Sequence, residues 1–340
     1  MQHILNAGKL LNDKGELYEA GYATSLVKEY DRSMIKAGKS RIKEWDYYLI
    51  YNDKFALALT LDDNSYMGML SASFIDFTVP FECTKSEISL MPMGKTLMPS
   101  SSSKGDVKLK IKGAEFEFLN DGSSRRLICS YDNFDGGMPL KVDVTLTDEP
   151  QDSMVIATPF KEKKTAFYYN QKIVGLKALG TVTYKGKEYS LDNSLGILDW
   201  GRGVWTYDNT WYWGALAGRA NGRIFGFNIG YGFGDTSAAS ENMLFYDGNA
   251  SKIEGVTFNI PKNGNSYDFM KPWTFTSSDG RFEMDFKPII DRAALTSALV
   301  IKSDQHQVFG TFSGKAVLDG GFTLEIKDML GFAEVVHNKW

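Results

Sequence analysis

Histidine and cysteine are scarce in these 340 residues, with three of the first and two of the second. His3, His306 and His337 are scattered, and no His, Cys or carboxylate cluster has the short spacing that grips zinc, so no metal site is expected. Cys83 and Cys129 fall in strand-like runs and read as two reduced thiols rather than a disulfide. No stretch approaches the roughly 18 apolar residues of a membrane-spanning helix, so no membrane span is expected. The first nine residues lack the apolar run of a secretory leader, which makes a cytoplasmic location the expectation. Basic blocks are missing too: 38 basic against 42 acidic residues leave a net charge of −4, which argues against a nucleic-acid partner. The chain has no Gly-x-Ser-x-Gly elbow and no Gly-x-x-x-x-Gly-Lys-Ser/Thr phosphate-binding loop, and no cofactor is expected. Helical periodicity is almost absent. Leu26 to Ile42 has room for one short helix, broken by Gly38, in an amino-terminal arm expected to pack across a barrel mouth.

What the chain has instead is glycine, 33 residues of it, and 14% aromatics, the pairing of twisted strands and tight turns. Phe55, Leu57, Leu59 and Leu61 share one face of a run whose other face is Ala56, Ala58 and Thr60. Val107 to Lys112 and Leu140 to Thr147 alternate in the same way, and turns such as Asn52-Asp53-Lys54, Asn120-Asp121-Gly122 and Asn221-Gly222 punctuate the runs. Pro99 to Gly105, rich in serine, reads as an exposed loop. Many short alternating strands predict an all-β chain of antiparallel barrels. Its length suits two domains, and the charged run Lys161-Glu162-Lys163-Lys164 suggests the division 1–165 and 166–340.

A constant offset of 166 supports a duplication. It brings Trp45 onto Trp211, Tyr47 onto Trp213, Phe116-Glu117-Phe118 onto Phe282-Glu283-Met284, Arg126 onto Arg292, and Val142 and Thr145 onto Val308 and Thr311.

Chemistry concentrates between Asn193 and Asn242, which hold four of the seven tryptophans: Trp200, Trp205, Trp211 and Trp213. Apolar walls with a few fixed polar groups are what a small-molecule pocket needs. The pair Asp199 and Arg202 reads either as a buried ion pair or as an acid with an oxyanion clamp. Asn228, between Phe227 and Ile229, faces either solvent or a ligand, and Glu241 opens the next strand. The run Gly230-Tyr231-Gly232-Phe233-Gly234 is not followed by a helix; its glycines let a strand bend or a tryptophan lie against backbone. Glu334, among apolar neighbours, calls for a buried partner, for which Arg292 is the candidate. The candidate acids are therefore Asp199 and Glu334; the candidate ligand contacts are the four tryptophans with Arg202, Asn228, Glu241 and Arg292.

Arg41-Ile-Lys-Glu-Trp-Asp-Tyr-Tyr48, Asp199-Trp-Gly-Arg-Gly203, Trp211-Tyr-Trp213 and Gly331-Phe-Ala-Glu334 together resemble a widespread bacterial family of unknown function, over essentially the whole chain. More remotely the chain is similar to tandem lipocalin-like proteins, the carotenoid hydratases (hydroxyneurosporene synthases) and AttH-type proteins. That resemblance implies two lipocalin-like barrels and an apolar substrate protonated by a carboxyl. The leading expectation is binding of an apolar or amphipathic small molecule in a Trp-lined barrel cavity. The alternatives are a cofactor-independent lyase, hydratase or isomerase, and a carbohydrate-binding module with tryptophans stacked on sugar faces.

Overall fold

The computed structural model describes residues 2–298 and 301–339. Its architecture is β apart from short 3-10 turns: two small two-stranded sheets, one of them the parallel pair Gly8–Lys9 with Lys28–Glu29, and two large antiparallel ones. In the first, β1 (Ile42–Tyr51), β2 (Phe55–Asp63), β3 (Met67–Asp76) and β4 (Phe81–Leu90) form a meander. It is joined to β5 (Val107–Ile111), β6 (Ala114–Asn120), β7 (Arg125–Asp135), β8 (Met138–Thr147), β9 (Lys163–Tyr184) and β10 (Leu195–Val204). The spatial order is β4-β3-β2-β1-β10-β9-β8-β7-β6-β5, curled into a nearly closed barrel.

The second sheet, a half-barrel, contains β11 (Asp208–Ala220), β12 (Arg223–Tyr231), β13 (Met243–Tyr246), β14 (Asn249–Lys252), β15 (Val256–Asn259), β16 (Trp273–Ser277), β17 (Phe282–Ala298), β18 (Ile301–Val317) and β19 (Thr323–Lys339). Its order is β14-β13-β12-β11-β19-β18-β17-β16-β15. Along this path each strand but β10 thus has a counterpart ten places later; the short strands Gly21–Ala23, Met154–Phe160 and Lys187–Ser190, which pair with the first sheet off the path, have none. Trp45 and Trp211, Arg126 and Arg292, and Val142 and Val308 fall on strands of equal rank. The Phe116–Phe118 match does not: it lies on β6, whereas Phe282–Met284 opens β17 rather than β16.

Expectations about the chain's course are corrected at several points. The change of sheet comes between Val204 and Asp208, not at residue 165, because β9 and β10 pair with β8 and β1 of the first barrel. The charged run is the tip of a hairpin in which Phe160 pairs with Lys163, and its exposed charges suit a solvated turn rather than a linker. The Ser-rich loop is tied down as well. Ser102 is buried, Asn120 donates to its carbonyl at 2.7 Å, and Arg202 donates to Pro99 O at 2.8 Å. The helix expected before Ile42 shrinks to two 3-10 turns, Arg32–Met34 and Lys39–Arg41. Both cysteines are free. No helix among the described residues is long and apolar enough to cross a membrane.

The alternation of the strands decides what each sheet encloses. On β8, Leu140, Val142, Val144 and Leu146 are buried while Lys141 and Asp143 are exposed, so one face is wet. On β10 all ten residues are buried, so both faces are covered: one by the first barrel's interior, the other by the second sheet. The second sheet's own core is closely packed with Phe227, Phe275, Phe282, Phe286 and Phe312, whose ring centroids lie 4.5–6.0 Å apart in contacting pairs. Its other face, with Trp213, Ala215, Phe309 and Phe332, merges into the core of the first.

Tyr51 stitches this junction. The Ala217 amide donates to its hydroxyl at 2.6 Å, and the hydroxyl donates to Leu330 O at 3.2 Å. Tyr51→Phe should leave both backbone groups unpaired at a cost of about 1–3 kcal/mol, read by urea denaturation. An unchanged midpoint would show that the sheets do not depend on this contact.

Candidate functional site at the barrel junction

The side chains that face each other across the junction are set by the two-residue period of β10. Asp199, Gly201 and Gly203 point to the second sheet; Trp200 and Arg202 point into the first barrel. The sequence pairs Asp199 with Arg202, and the structure separates them, because residues three apart on a strand lie on opposite faces. Arg202 instead bonds Asp46 at 3.0 Å and Trp45 O at 2.8 Å, with its guanidinium 4.3 Å from the Trp200 ring centre. Burial raises the Asp46 carboxyl, against the pull of Arg202.

On the junction side, Asp199 is paired with Lys172 of β9 at 2.7 Å and accepts from Asn170 Nδ2 at 2.6 Å. Lys172 is 3% exposed at its side chain, and its ammonium also sits 3.8 Å above the Trp213 ring. From the second sheet, Trp213 Nε1 donates to Asn228 Oδ1 at 2.8 Å, and Asn228 Nδ2 donates to Glu241 Oε2 at 3.1 Å. Asn228 is fully buried, so its face is the junction and not solvent. Glu334 accepts from Trp211 Nε1 at 3.0 Å and from Gln305 Nε2 at 3.1 Å. Arg292 is not its ion-pair partner: it donates to Ser73 Oγ at 2.7 Å, while its charge still acts on the Glu334 carboxyl.

Three carboxyls thus share the field of Lys172. Burial holds Glu334 above its usual range, opposed by the Trp211 hydrogen bond and the charges of Arg292 and Lys172, and reinforced by Asp199. Glu241 is raised likewise, first by burial and then by Asp199, against Lys172 and Asn228. The Tyr168 hydroxyl, buried beside all three, is pushed well up.

An aromatic wall adjoins this cluster. Trp205 meets Trp45 at 5.2 Å and Trp211 at 5.9 Å, both edge-on, and Trp45 stacks on Tyr168 at 6.0 Å. Trp45 fits because Gly201 has no side chain; a Cβ there would fall 1.9 Å from the Trp45 ring. Trp45 and Trp211 are partly exposed, whereas Trp200, Trp205 and Trp213 are buried. The four tryptophans of the central stretch therefore form neither one cavity inside the second barrel nor an open platform. Of the residues singled out in the sequence, Asp199, Trp211, Trp213, Asn228, Glu241 and Glu334 meet here. Trp205 flanks them, Arg292 acts from the edge, and Trp200 and Arg202 are elsewhere. Lys172, Asn170, Tyr168 and Gln305 were missed; the polar trio Asn170-Gln171-Lys172 inside an apolar strand was the available signal.

The profile of a domain of unknown function (DUF2804) matches residues 1–340. The chain belongs to the DUF2804 family. Comparison of this DUF2804 chain with curated proteins finds no match. Among solved structures it is similar to an AttH-type protein from Nitrosomonas europaea, with a TM-score of 0.57 and 12% identity over 92% of this chain and 98% of that one. It also matches kievitone hydratase from Nectria haematococca, with a TM-score of 0.49 and 10% identity over 88% of each chain. The AttH likeness shows a shared tandem lipocalin-like fold.

A double-mutant cycle should separate the two partners proposed for Asp199. Asp199→Asn strands a buried ammonium, which typically costs about 3–5 kcal/mol. Adding Lys172→Met should recover much of that loss, whereas adding Arg202→Met should be close to additive. Thermal melts of the five variants decide it, and rescue by Arg202→Met would overturn the assignment. Gly201→Ala should displace Trp45, lowering stability by about 1–3 kcal/mol and shifting tryptophan emission.

Proposed function

We propose that the barrel junction binds an apolar or amphipathic small molecule and acts on it by acid–base chemistry of the lyase, hydratase or isomerase type. The observation that carries this reading is the convergence of Asp199, Glu241 and Glu334 on Lys172 beside a partly exposed tryptophan wall. A general acid works best with a pKa near the operating pH, and burial moves Glu334 and Glu241 in that direction. Protonated Glu334 would give its proton to a substrate carbon or oxygen, and the carboxylate left behind would be held by the Trp211 and Gln305 donors. The aromatic wall would hold the apolar body of the substrate, and the Lys172–Asp199 pair would orient its polar end. Stacking on sugar faces is less well supported, since only Trp45 and Trp211 of this wall reach solvent.

A panel of fatty, terpenoid and aromatic probes should quench tryptophan emission saturably, and Trp211→Ala should weaken that response several-fold. If no probe changes the emission, the junction is a structural core and the proposal fails.

Glu334 gives an independent pH test. Its folded pKa lies above the usual 4.5, so the folded chain keeps a proton that the unfolded chain has released. In that window the native state binds more protons, and stability must fall as pH rises through it. Glu334→Gln cannot ionise and should remove its part of that slope, leaving the variant as stable as wild type or more so at neutral pH. Melting temperatures measured from pH 4 to pH 8 check this, and parallel curves for the two proteins would refute a raised Glu334.

A further inference from the structure

Phe233 lies just after β12, outside any strand, yet it is only 7% exposed. Its ring is edge-on to Trp205 at 4.8 Å, Tyr168 at 4.9 Å, Trp211 at 5.3 Å and Phe160 at 5.3 Å. Trp45 flanks the same group through Trp205 and Tyr168. Five aromatic rings therefore form a cup with a single benzene ring in it, and that ring comes from a loop. The residues on either side are Gly232 and Gly234, at φ +92° and +71°, a region where side-chain-bearing residues are strained. Beyond them the chain is anchored: β12 ends at Tyr231, and the Asp235 amide donates to Pro159 O at 2.7 Å. Phe233 is thus held between two glycine pivots in a short segment fixed at both ends.

The cup borders the acid cluster. The Trp211 indole is bonded to Glu334, and the Tyr168 hydroxyl lies in the field of Glu241, Asp199 and Glu334. We infer that Phe233 is an internal occupant of a subsite for an aromatic ring, and that a ligand carrying such a ring binds by displacing it. This rests on the junction being the binding site, and it names the substrate class: an aryl group whose polar or unsaturated substituent reaches the carboxyls. Edge-to-face contacts explain the selectivity, since the wall rings meet the positive edge or negative face of another ring and find neither in an aliphatic chain. The internal ring also competes with the ligand, so the apparent affinity is the intrinsic one multiplied by the fraction of molecules in which the cup is open.

The test uses the full chain labelled with 4-fluorophenylalanine, the Phe233 fluorine resonance being the one that Phe233→Leu removes. Saturation with 4-propylphenol should move that resonance away from its ring-shifted position, whereas 1-nonanol should not. Phe233→Ala should bind 4-propylphenol about tenfold more tightly than wild type by tryptophan quenching. If 4-propylphenol quenches tryptophan while the Phe233 resonance stays in place, displacement is wrong and the junction site survives. Equal movement with 1-nonanol would overturn the aryl selectivity. If neither probe, nor any of the wider panel, alters the emission, the junction reading fails and this inference with it. Should Phe233→Ala not fold, the fluorine measurement on the wild-type side chain still decides.

Discussion

The ammonium of Lys172 is the charge on which the junction depends. It is buried, paired with Asp199 and seated on the Trp213 ring, and both Glu241 and Glu334 lie within its field. One buried cation cannot fully compensate three carboxyls. Asp199 holds the direct contact, and the other two keep part of the cost of burial as a raised proton affinity. A buried ion pair is weak evidence for stability, because desolvation offsets most of the attraction. What it does supply is orientation: Lys172 fixes Asp199 from the neighbouring strand and Trp213 from the opposite sheet.

That arrangement depends on a strand that the second sheet does not repeat. Short side strands apart, nine strands of the first sheet have counterparts ten places later, and β10 has none. This added strand carries Asp199-Trp200-Gly201-Arg202-Gly203, and alternation divides the motif between two environments. Trp200 and Arg202 complete a polar interior with Asp46, while Asp199 presents a carboxyl to the junction and Gly201 makes room for Trp45. A motif that looks like one site in the sequence therefore serves two sides of one strand.

Legibility in the sequence followed the same physics. Alternating strands, glycine turns and the equal-rank matches Trp45 with Trp211 and Val142 with Val308 could be read, because burial on one face writes a period of two into the chain. Strands buried on both faces lose that signal: β10 is apolar or small at most positions, so nothing in it told which residues looked inward. The same period, applied to the three-residue spacing of Asp199 and Arg202, would have separated them. Lys172 was hidden for another reason. Its partner lies 27 residues away on an adjacent strand, and register between strands is set by turns and bulges, such as the one between Val174 and Leu176, that composition does not reveal.

The junction is at once a candidate site and a structural core. β11 and β19 carry residues of the second core on one face and Trp213, Ala215 and Phe332 against the first barrel on the other. Separating the sheets would expose both Trp213 and the Lys172 pair to water, so each half of the repeat needs the other to bury its chemistry. A site built this way can hold carboxyls at raised pKa without a deep cavity, because the dry environment comes from packing two sheets together. It also means that truncating a site residue perturbs folding and chemistry together. Isosteric changes such as Glu334→Gln, which remove a charge and keep the shape, are the ones whose effects on activity can be read directly.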